Sequence, residues 1–120
     1  MTTRDRLRVL VVGCGNMGTS HARAYRTLAA DFELVGLVSR QPESRERLAA
    51  ELGGAATFAD FAQAYAATRP DVVSINTYPD THAAIARTAL RGGSHVFVEK
   101  PLAETVEEAL ELARLAAVAG

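Results

Sequence analysis

The sequence predicts an α/β domain: a doubly wound parallel sheet of five strands in the order 3-2-1-4-5, with helices on both faces. Three observations lead there. Short runs rich in Val, Leu and Ile alternate along the chain with longer stretches of helical spacing. The first run is followed by a glycine-rich turn that opens a helix. The residues with chemical character fall at the ends of the strand-like runs, where open α/β sheets bind their ligands.

Taken in order, Arg8–Val12 (RVLVV) is a continuous apolar run, as a strand buried on both faces requires. Gly13–Gly18 is a turn, and Met17–Ala30 a helix with Met17, His21, Ala24 and Leu28 along one face. Glu33–Val38 is the second strand. Pro42–Leu52 is the second helix, with Pro42 suited to its first position and Gly53-Gly54 as its stop. Ala56–Phe58 is a short third strand, and Phe61–Ala67 a helix capped by Asp60. Asp71–Asn76 is the fourth strand, and Thr81–Arg91 a helix capped by Asp80 and stopped by Gly92-Gly93. His95–Glu99 is the fifth strand. Thr105–Ala119 is the last helix, with Thr105 and Glu108 as a capping box. Right-handed βαβ connections make such a sheet parallel.

A chain of 120 residues is enough for one domain with a real core. A net charge of −1 leaves no electrostatic footprint for nucleic acid or an anionic membrane. The apolar runs fall far short of the ~20 residues of a membrane span. Met1–Arg6 lacks the hydrophobic region and cleavage site of a secretory signal. The single cysteine, Cys14, excludes an internal disulfide and a cysteine-rich metal site, and reads as a small residue of the turn. A cytoplasmic protein without a metal is expected. Twelve arginines stand against one lysine, Lys100. A coding bias explains the twelve. A site where an amine must exchange a proton explains why one position keeps Lys, because a guanidinium holds its proton too tightly.

Gly13-Cys14-Gly15-Asn16-Met17-Gly18 is G-x-G-x-x-G, placed between a buried strand and a helix. Gly13 permits the tight turn, Gly15 lets a pyrophosphate approach the backbone, and Gly18 lets the helix pack on the sheet. The free N–H groups and dipole of that helix then hold the anion. A turn without a ligand and a methyl-donor site of a methyltransferase share this pattern. A cofactor lacking a 2′-phosphate usually meets an Asp or Glu about 20 residues past the turn. Here Ser39 and Arg40 stand at that place, with Arg45 one turn into the next helix. A hydroxyl and a guanidinium suit a phosphate better than a ribose diol, so NADP is favoured over NAD.

These residues resemble the Gfo/Idh/MocA family, the glucose–fructose oxidoreductases and inositol 2-dehydrogenases. The resemblance covers the whole chain and rests on GCGNMGTSHARAY at Gly13–Tyr25, NTYPDTH at Asn76–His82 and GGSHVFVEKPLA at Gly92–Ala103. Glu99-Lys100-Pro101 is its specific part. The resemblance implies a Rossmann domain that binds a nicotinamide cofactor. Candidate cofactor-binding residues are Gly13, Gly15, Asn16, Met17, Gly18, Ser39, Arg40, Asn76, Thr77, Pro79, His82, Glu99, Lys100 and Pro101. By the same resemblance Lys100 is the catalytic residue, assisting proton transfer at a substrate hydroxyl or carbonyl, with Glu99 orienting it or the cofactor. His82 shares a helix face with Ile85, Ala86 and Ala89 and is read both as a packing and as a site residue. His21 is read as core, His95 is given no role, and Tyr78 replaces the small residue commoner in the family.

In the family this domain is followed by a sixth strand and a second α/β domain. That domain carries substrate contacts and usually an Asp and a His that complete proton transfer. The 120 residues are therefore expected to be the cofactor domain alone, unable to turn over substrate unaided, with strand five left as a free parallel edge. The full-length form is expected to be a homo-oligomer acting on a small molecule: a sugar, a polyol or a related hydroxyl or carbonyl compound. The alternative is a non-catalytic nucleotide-binding or sensor module.

Overall fold

The computed structural model describes residues 6–77, 79–98 and 105–119. The elements follow one another as β1 (Leu7–Val12), α1 (Asn16–Thr27), β2 (Phe32–Val38), α2 (Pro42–Glu51), β3 (Thr57–Phe58), α3 (Phe61–Thr68), β4 (Val72–Ile75), α4 (Pro79–Arg91), β5 (His95–Val98) and α5 (Val106–Ala119). The sheet runs β3-β2-β1-β4-β5, and every pairing is parallel. The order reverses at β1, which places the crevice of a doubly wound sheet over the ends of β1 and β4.

The central strand feeds two cores because successive side chains leave opposite faces. Leu10 and Val12 join Val38, Val73 and Ile75 under α3, α4 and α5, where Ala64, Ala83, Ala86, Ala89 and Leu112 close the layer. Val9 and Val11 join Leu37 under α1 and α2, against Ala22, Leu48 and Ala49. Val9, Leu10 and Val11 are wholly buried, as the unbroken apolar run requires. Between Val9 and Leu10 the register with β2 slips, so Leu10 faces Gly36. A Cβ on Gly36 would lie 2.9 Å from the Leu10 Cδ1 and 3.1 Å from a Phe58 ring atom, so the glycine makes room for the larger side chains.

At the N-terminal ends of the strands a small polar knot joins four segments. The Ser94 hydroxyl donates to the Pro70 carbonyl at 2.7 Å, and the Tyr65 hydroxyl lies 2.7 Å from the Ser94 oxygen and 3.2 Å from the Ala89 carbonyl. The Arg8 backbone N–H donates to Asp71 at 2.8 Å, and its guanidinium to the Thr68 carbonyl at 2.6 Å. These bonds hold the end of the sheet remote from the crevice.

Several boundaries differ from the sequence reading. α1 ends at Thr27 and not at Ala30, because the Leu28 carbonyl accepts from both Asp31 and Phe32 and turns the chain into β2. Its inward face also differs: Ala22 is fully buried and Tyr25 partly, whereas Ala24 is exposed and Leu28 is 49% exposed. The helix meets the sheet through its smallest residues, because only they allow the approach that the turn before it demands. α4 starts at Pro79, so Asp80 lies inside the helix and does not cap it. Proline is at ease in a first turn, where its missing N–H has no helical partner to lose. The Asp60 cap stands, accepting from the Gln63 N–H at 3.0 Å, and so does the Thr105 cap, accepting from the Glu108 N–H at 3.1 Å. β4 ladders only over Val72–Ile75, two residues less than the Asp71–Asn76 expected. β5 is observed to Val98, and Glu99 lies outside the described residues. Among the described residues, no helix is long and apolar enough to cross a membrane.

Candidate cofactor site

The glycine turn is shaped by two collisions that only hydrogen can avoid. Gly13 has φ of +94°, and a Cβ there would sit 2.7 Å from the Asn76 carbonyl oxygen. A Cβ on Gly18 would sit 1.7 Å from the Gly13 carbonyl oxygen. The first turn of α1 therefore presses on the end of β1, and β1 on the end of β4. The Gly13 N–H donates to the Val38 carbonyl at 2.7 Å, which ties the turn to β2 as well. Gly15 is different: its φ of −77° suits any residue, and a Cβ there would meet nothing within 4 Å. Two glycines are required by the fold, and the third opens on free space.

That space lies at the start of α1. Gly15 is the N-cap and has no side chain to satisfy the first N–H groups, and the first turn carries no acidic residue. Unsatisfied N–H groups and the positive end of the helix dipole make such a terminus a binding place for an anion. The open cradle at Gly15 fits a pyrophosphate, and Asn16 and Met17 supply the backbone that begins the helix. Cys14, between the two glycines, is 3% exposed, and its thiol donates to the Val38 carbonyl at 3.6 Å. Burial pushes the thiol pKa up to about 11, with the positive charge of Arg45 working weakly the other way. It is a packing group and not a nucleophile.

At the end of β2 the Ser39 hydroxyl accepts from the Gln41 N–H at 3.3 Å. Arg40 is exposed. Arg45 is the cation the fold brings in: its Nη1 donates to the Ser39 carbonyl at 2.8 Å, and its charge reaches Cys14 in the turn. Helical side chains lean toward the N-terminus, so Arg45, three positions after Pro42, reaches back to Ser39.

At the end of β4, Asn76 Nδ2 donates to the Ser74 carbonyl at 3.2 Å and to its hydroxyl oxygen at 3.1 Å. Among the described residues Asn76 Oδ1 is buried without a hydrogen-bond partner, a loss of about 1–3 kcal/mol for an acceptor withdrawn from water. The hydroxyls of Thr77 and Thr81 share a hydrogen bond across the first turn of α4. His82 is 1% exposed, and its Nε2 lies 2.8 Å from the Thr77 carbonyl, so Nε2 carries the proton. His82 supports the β4–α4 corner from beneath, in keeping with its packing reading. Pro79 opens α4 at that corner. His21 packs its ring 4.9 Å from that of Phe97, and Phe97 is 46% exposed, so His21 is at the edge of the core. Tyr78, Glu99, Lys100 and Pro101 lie outside the described residues. Among the described residues no group of His, Cys, Asp and Glu could hold a metal.

A glycine turn with this division of labour, at the reversal point of a parallel 3-2-1-4-5 sheet, defines a dinucleotide-binding domain of Rossmann type. The chain belongs to the Gfo/Idh/MocA family, described as an oxidoreductase family with an NAD-binding Rossmann fold, which it matches over residues 7–120. That membership sets aside the methyl-donor reading of the turn. The chain is 33% identical over 110 residues to D-glucoside 3-dehydrogenase of Escherichia coli, spanning 92% of this chain and 31% of that enzyme. It is 37% identical over 103 residues to UDP-N-acetylglucosamine 3-dehydrogenase of Acidithiobacillus ferrooxidans, spanning 86% of this chain and 31% of that enzyme. Among solved structures, GenD2 from gentamicin A biosynthesis, in complex with NAD, superposes with a TM-score of 0.89 at 32% identity, over 100% of this chain and 34% of that one. The WlbA dehydrogenase of Bordetella pertussis, in complex with NADH and UDP-GlcNAcA, superposes with a TM-score of 0.86 at 27% identity, over 98% of this chain and 36% of that one. The chain thus spans about a third of the length of the relatives it matches.

Two expected outcomes follow from this geometry. Gly15→Val should keep the folded stability within about 0.5 kcal/mol, as surface changes do, yet abolish cofactor binding. Gly13→Ala should instead lower the urea midpoint, because its strain and collision are in the fold itself. Urea unfolding with calorimetric titration separates the two, and a Gly15→Val protein that still binds would remove the turn from the site. The Cys14 thiol has a folded pKa of about 11 against an ordinary 9.0, so the folded chain keeps a proton that the unfolded chain releases. Its contribution is complete below pH 9 and is lost as the pH rises through 11. Unfolding should therefore grow easier between pH 9 and 11 in the wild type, and less so in Cys14→Ala, when the two are compared by urea titration across that range.

Proposed function

We propose that this chain is the cofactor domain of an oxidoreductase that moves hydride between a nicotinamide dinucleotide and a sugar, polyol or related hydroxyl or carbonyl compound. The observation that carries the reading is the open cradle at Gly15, framed by two glycines that the fold itself requires. When bound, the dinucleotide supplies the hydride acceptor or donor. The chain's own part is to seat the diphosphate on the start of α1, hold the adenosine ribose at the end of β2, and hold the other half over the β4–α4 corner. Substrate contacts belong to the part of the enzyme beyond these 120 residues, as the lengths of the relatives suggest. The names of those relatives and neighbours, with glucoside, UDP-sugar and inositol among their substrates, support a sugar or polyol. We further infer a cytoplasmic protein whose full-length form is a homo-oligomer, β5 being an edge of the sheet among the described residues.

We read the preferred cofactor as NADP. No carboxylate stands at Ser39, and the guanidinium of Arg45 is held on the Ser39 carbonyl with other N–H groups to offer. Arg45→Ala should weaken NADPH binding about tenfold or more while leaving NADH within about twofold, because one charge-assisted contact is worth about 1.5–3 kcal/mol. Arg40→Ala, at an exposed side chain, should do less. Titration of both cofactors into the wild type and the two variants tests this, and equal wild-type affinities overturn the preference.

Lys100 is the residue assigned to proton transfer, on the strength of the Glu99-Lys100-Pro101 triplet and its position just after β5. Lys100→Arg in the whole enzyme should lower turnover strongly with cofactor affinity within a fewfold, since Arg keeps the charge and withholds the proton. Steady-state turnover read beside cofactor titration checks it. Weakened binding with normal turnover at saturation would make Lys100 a binding residue.

A further inference from the structure

The Asn76 side chain carries an acceptor that the described fold does not use. Its backbone N–H donates to the Val12 carbonyl at 2.8 Å, which fastens the residue to the end of β1, where the glycine turn begins. Its Cβ lies 3.5 Å from the place a Cβ on Gly18 would take, so the side chain is wedged between β4 and the start of α1. One end of the amide is spoken for, since Nδ2 donates to the carbonyl and the hydroxyl oxygen of the wholly buried Ser74. The amide cannot be reversed without setting an oxygen against the Ser74 carbonyl, lone pair to lone pair. Oδ1 is therefore the end that faces away from Ser74, buried and without a partner among the described residues. Unpaired buried acceptors are rare in folded proteins and call for an explanation.

The missing partner must be a donor. On the cofactor reading, which this inference rests on, the diphosphate at the start of α1 offers oxygens alone and cannot pair with Oδ1. The adenosine half leads toward β2, where Ser39 and Arg45 stand. β4 lies on the other side of β1, so the half of the dinucleotide that passes the end of β4 is the nicotinamide half. The donors on that half closest to the diphosphate are the ribose hydroxyls. We propose that Asn76 Oδ1 accepts a hydrogen bond from a hydroxyl of the nicotinamide ribose, which makes Asn76 a positioning residue for the reactive half of the cofactor. Asn76 as a whole is only partly buried. The amide stays on Ser74, and the hydroxyl reaches Oδ1 as the atoms covering it give way.

The test uses ligands of increasing length on the whole protein. ADP carries the diphosphate without the second ribose, ADP-ribose adds that ribose, and NADH adds the nicotinamide. Calorimetric titration of all three into wild type and Asn76→Ala should show ADP affinity within about twofold. ADP-ribose and NADH should each weaken by about fivefold or more, the range of a lost hydrogen bond to a buried acceptor. Asn76→Ser, whose hydroxyl is too short to replace the amide, serves as a second variant, and urea unfolding of each confirms a folded protein. Equal losses on all three ligands overturn the inference, because Asn76 would then act through the glycine turn. Loss on NADH alone overturns it by moving the contact to the carboxamide, and unchanged affinities overturn it outright. Wild-type protein that binds none of the three refutes the cofactor reading itself, and this inference with it.

Discussion

The close approach of α1 to the ends of β1 and β4 is the constraint on which the rest of the site depends. The Gly13 carbonyl occupies the space a side chain on Gly18 would need, and the Asn76 carbonyl occupies the space one on Gly13 would need. The two ends of the glycine turn and the sequence-distant end of β4 thus share one point of contact, and no residue larger than glycine fits at two of its positions. The approach points the N-terminus of α1 across the end of the central strand. It also suits the face α1 turns to the sheet, where Ala22 is fully buried beside the glycine turn and Tyr25 packs further along. Packing and anion binding are two consequences of the same short distance.

Electrostatics at the crevice follows from what that approach leaves unsatisfied. The start of α1 has no side-chain cap and no acid in its first turn, so its positive end faces outward uncompensated. Arg45 adds a second positive group, fixed on the Ser39 carbonyl, and the fold gives Cys14 a buried place between them. That thiol lies near two positive features and still holds its proton, because the loss of water around it outweighs the attraction of Arg45. At the far end of the sheet the balance is reversed. Ser94, Tyr65, Asp71 and Arg8 satisfy one another and nearby carbonyls there. One end of the strands is closed by internal hydrogen bonds, while the other keeps donors and an acceptor available.

At the β4–α4 corner the polar side chains hold one another and the backbone. His82 and Thr81 both hold Thr77, one by its carbonyl and one by its hydroxyl. Asn76 is held by Ser74 through its nitrogen, with its oxygen left over. The corner is thus braced from within the chain.

The sequence by itself determined the fold class, the strand order, the five strands and five helices, and the glycine turn. These are local or periodic properties: unbroken apolar runs for buried strands, helical spacing, and caps such as Asp60 and Thr105 that act within a few residues. It also marked the elements that meet at the crevice, because βαβ chirality and the reversal of strand order follow from the alternation alone. The tertiary structure decided what needs two distant segments at once. It set the Arg45 guanidinium on the Ser39 carbonyl, because a helix side chain leans back over its own N-terminus. It supplied the contacts behind the division of roles that the motif assigns, with the Asn76 carbonyl against Gly13, the Gly13 carbonyl against Gly18 and open space at Gly15. It turned α1 so that Ala22 faced inward, started α4 at Pro79, and made His82 a buttress. It also left Asn76 Oδ1 unpaired among the described residues, because hydrogen bonds between side chains depend on which strands lie side by side, and only the folded chain sets that.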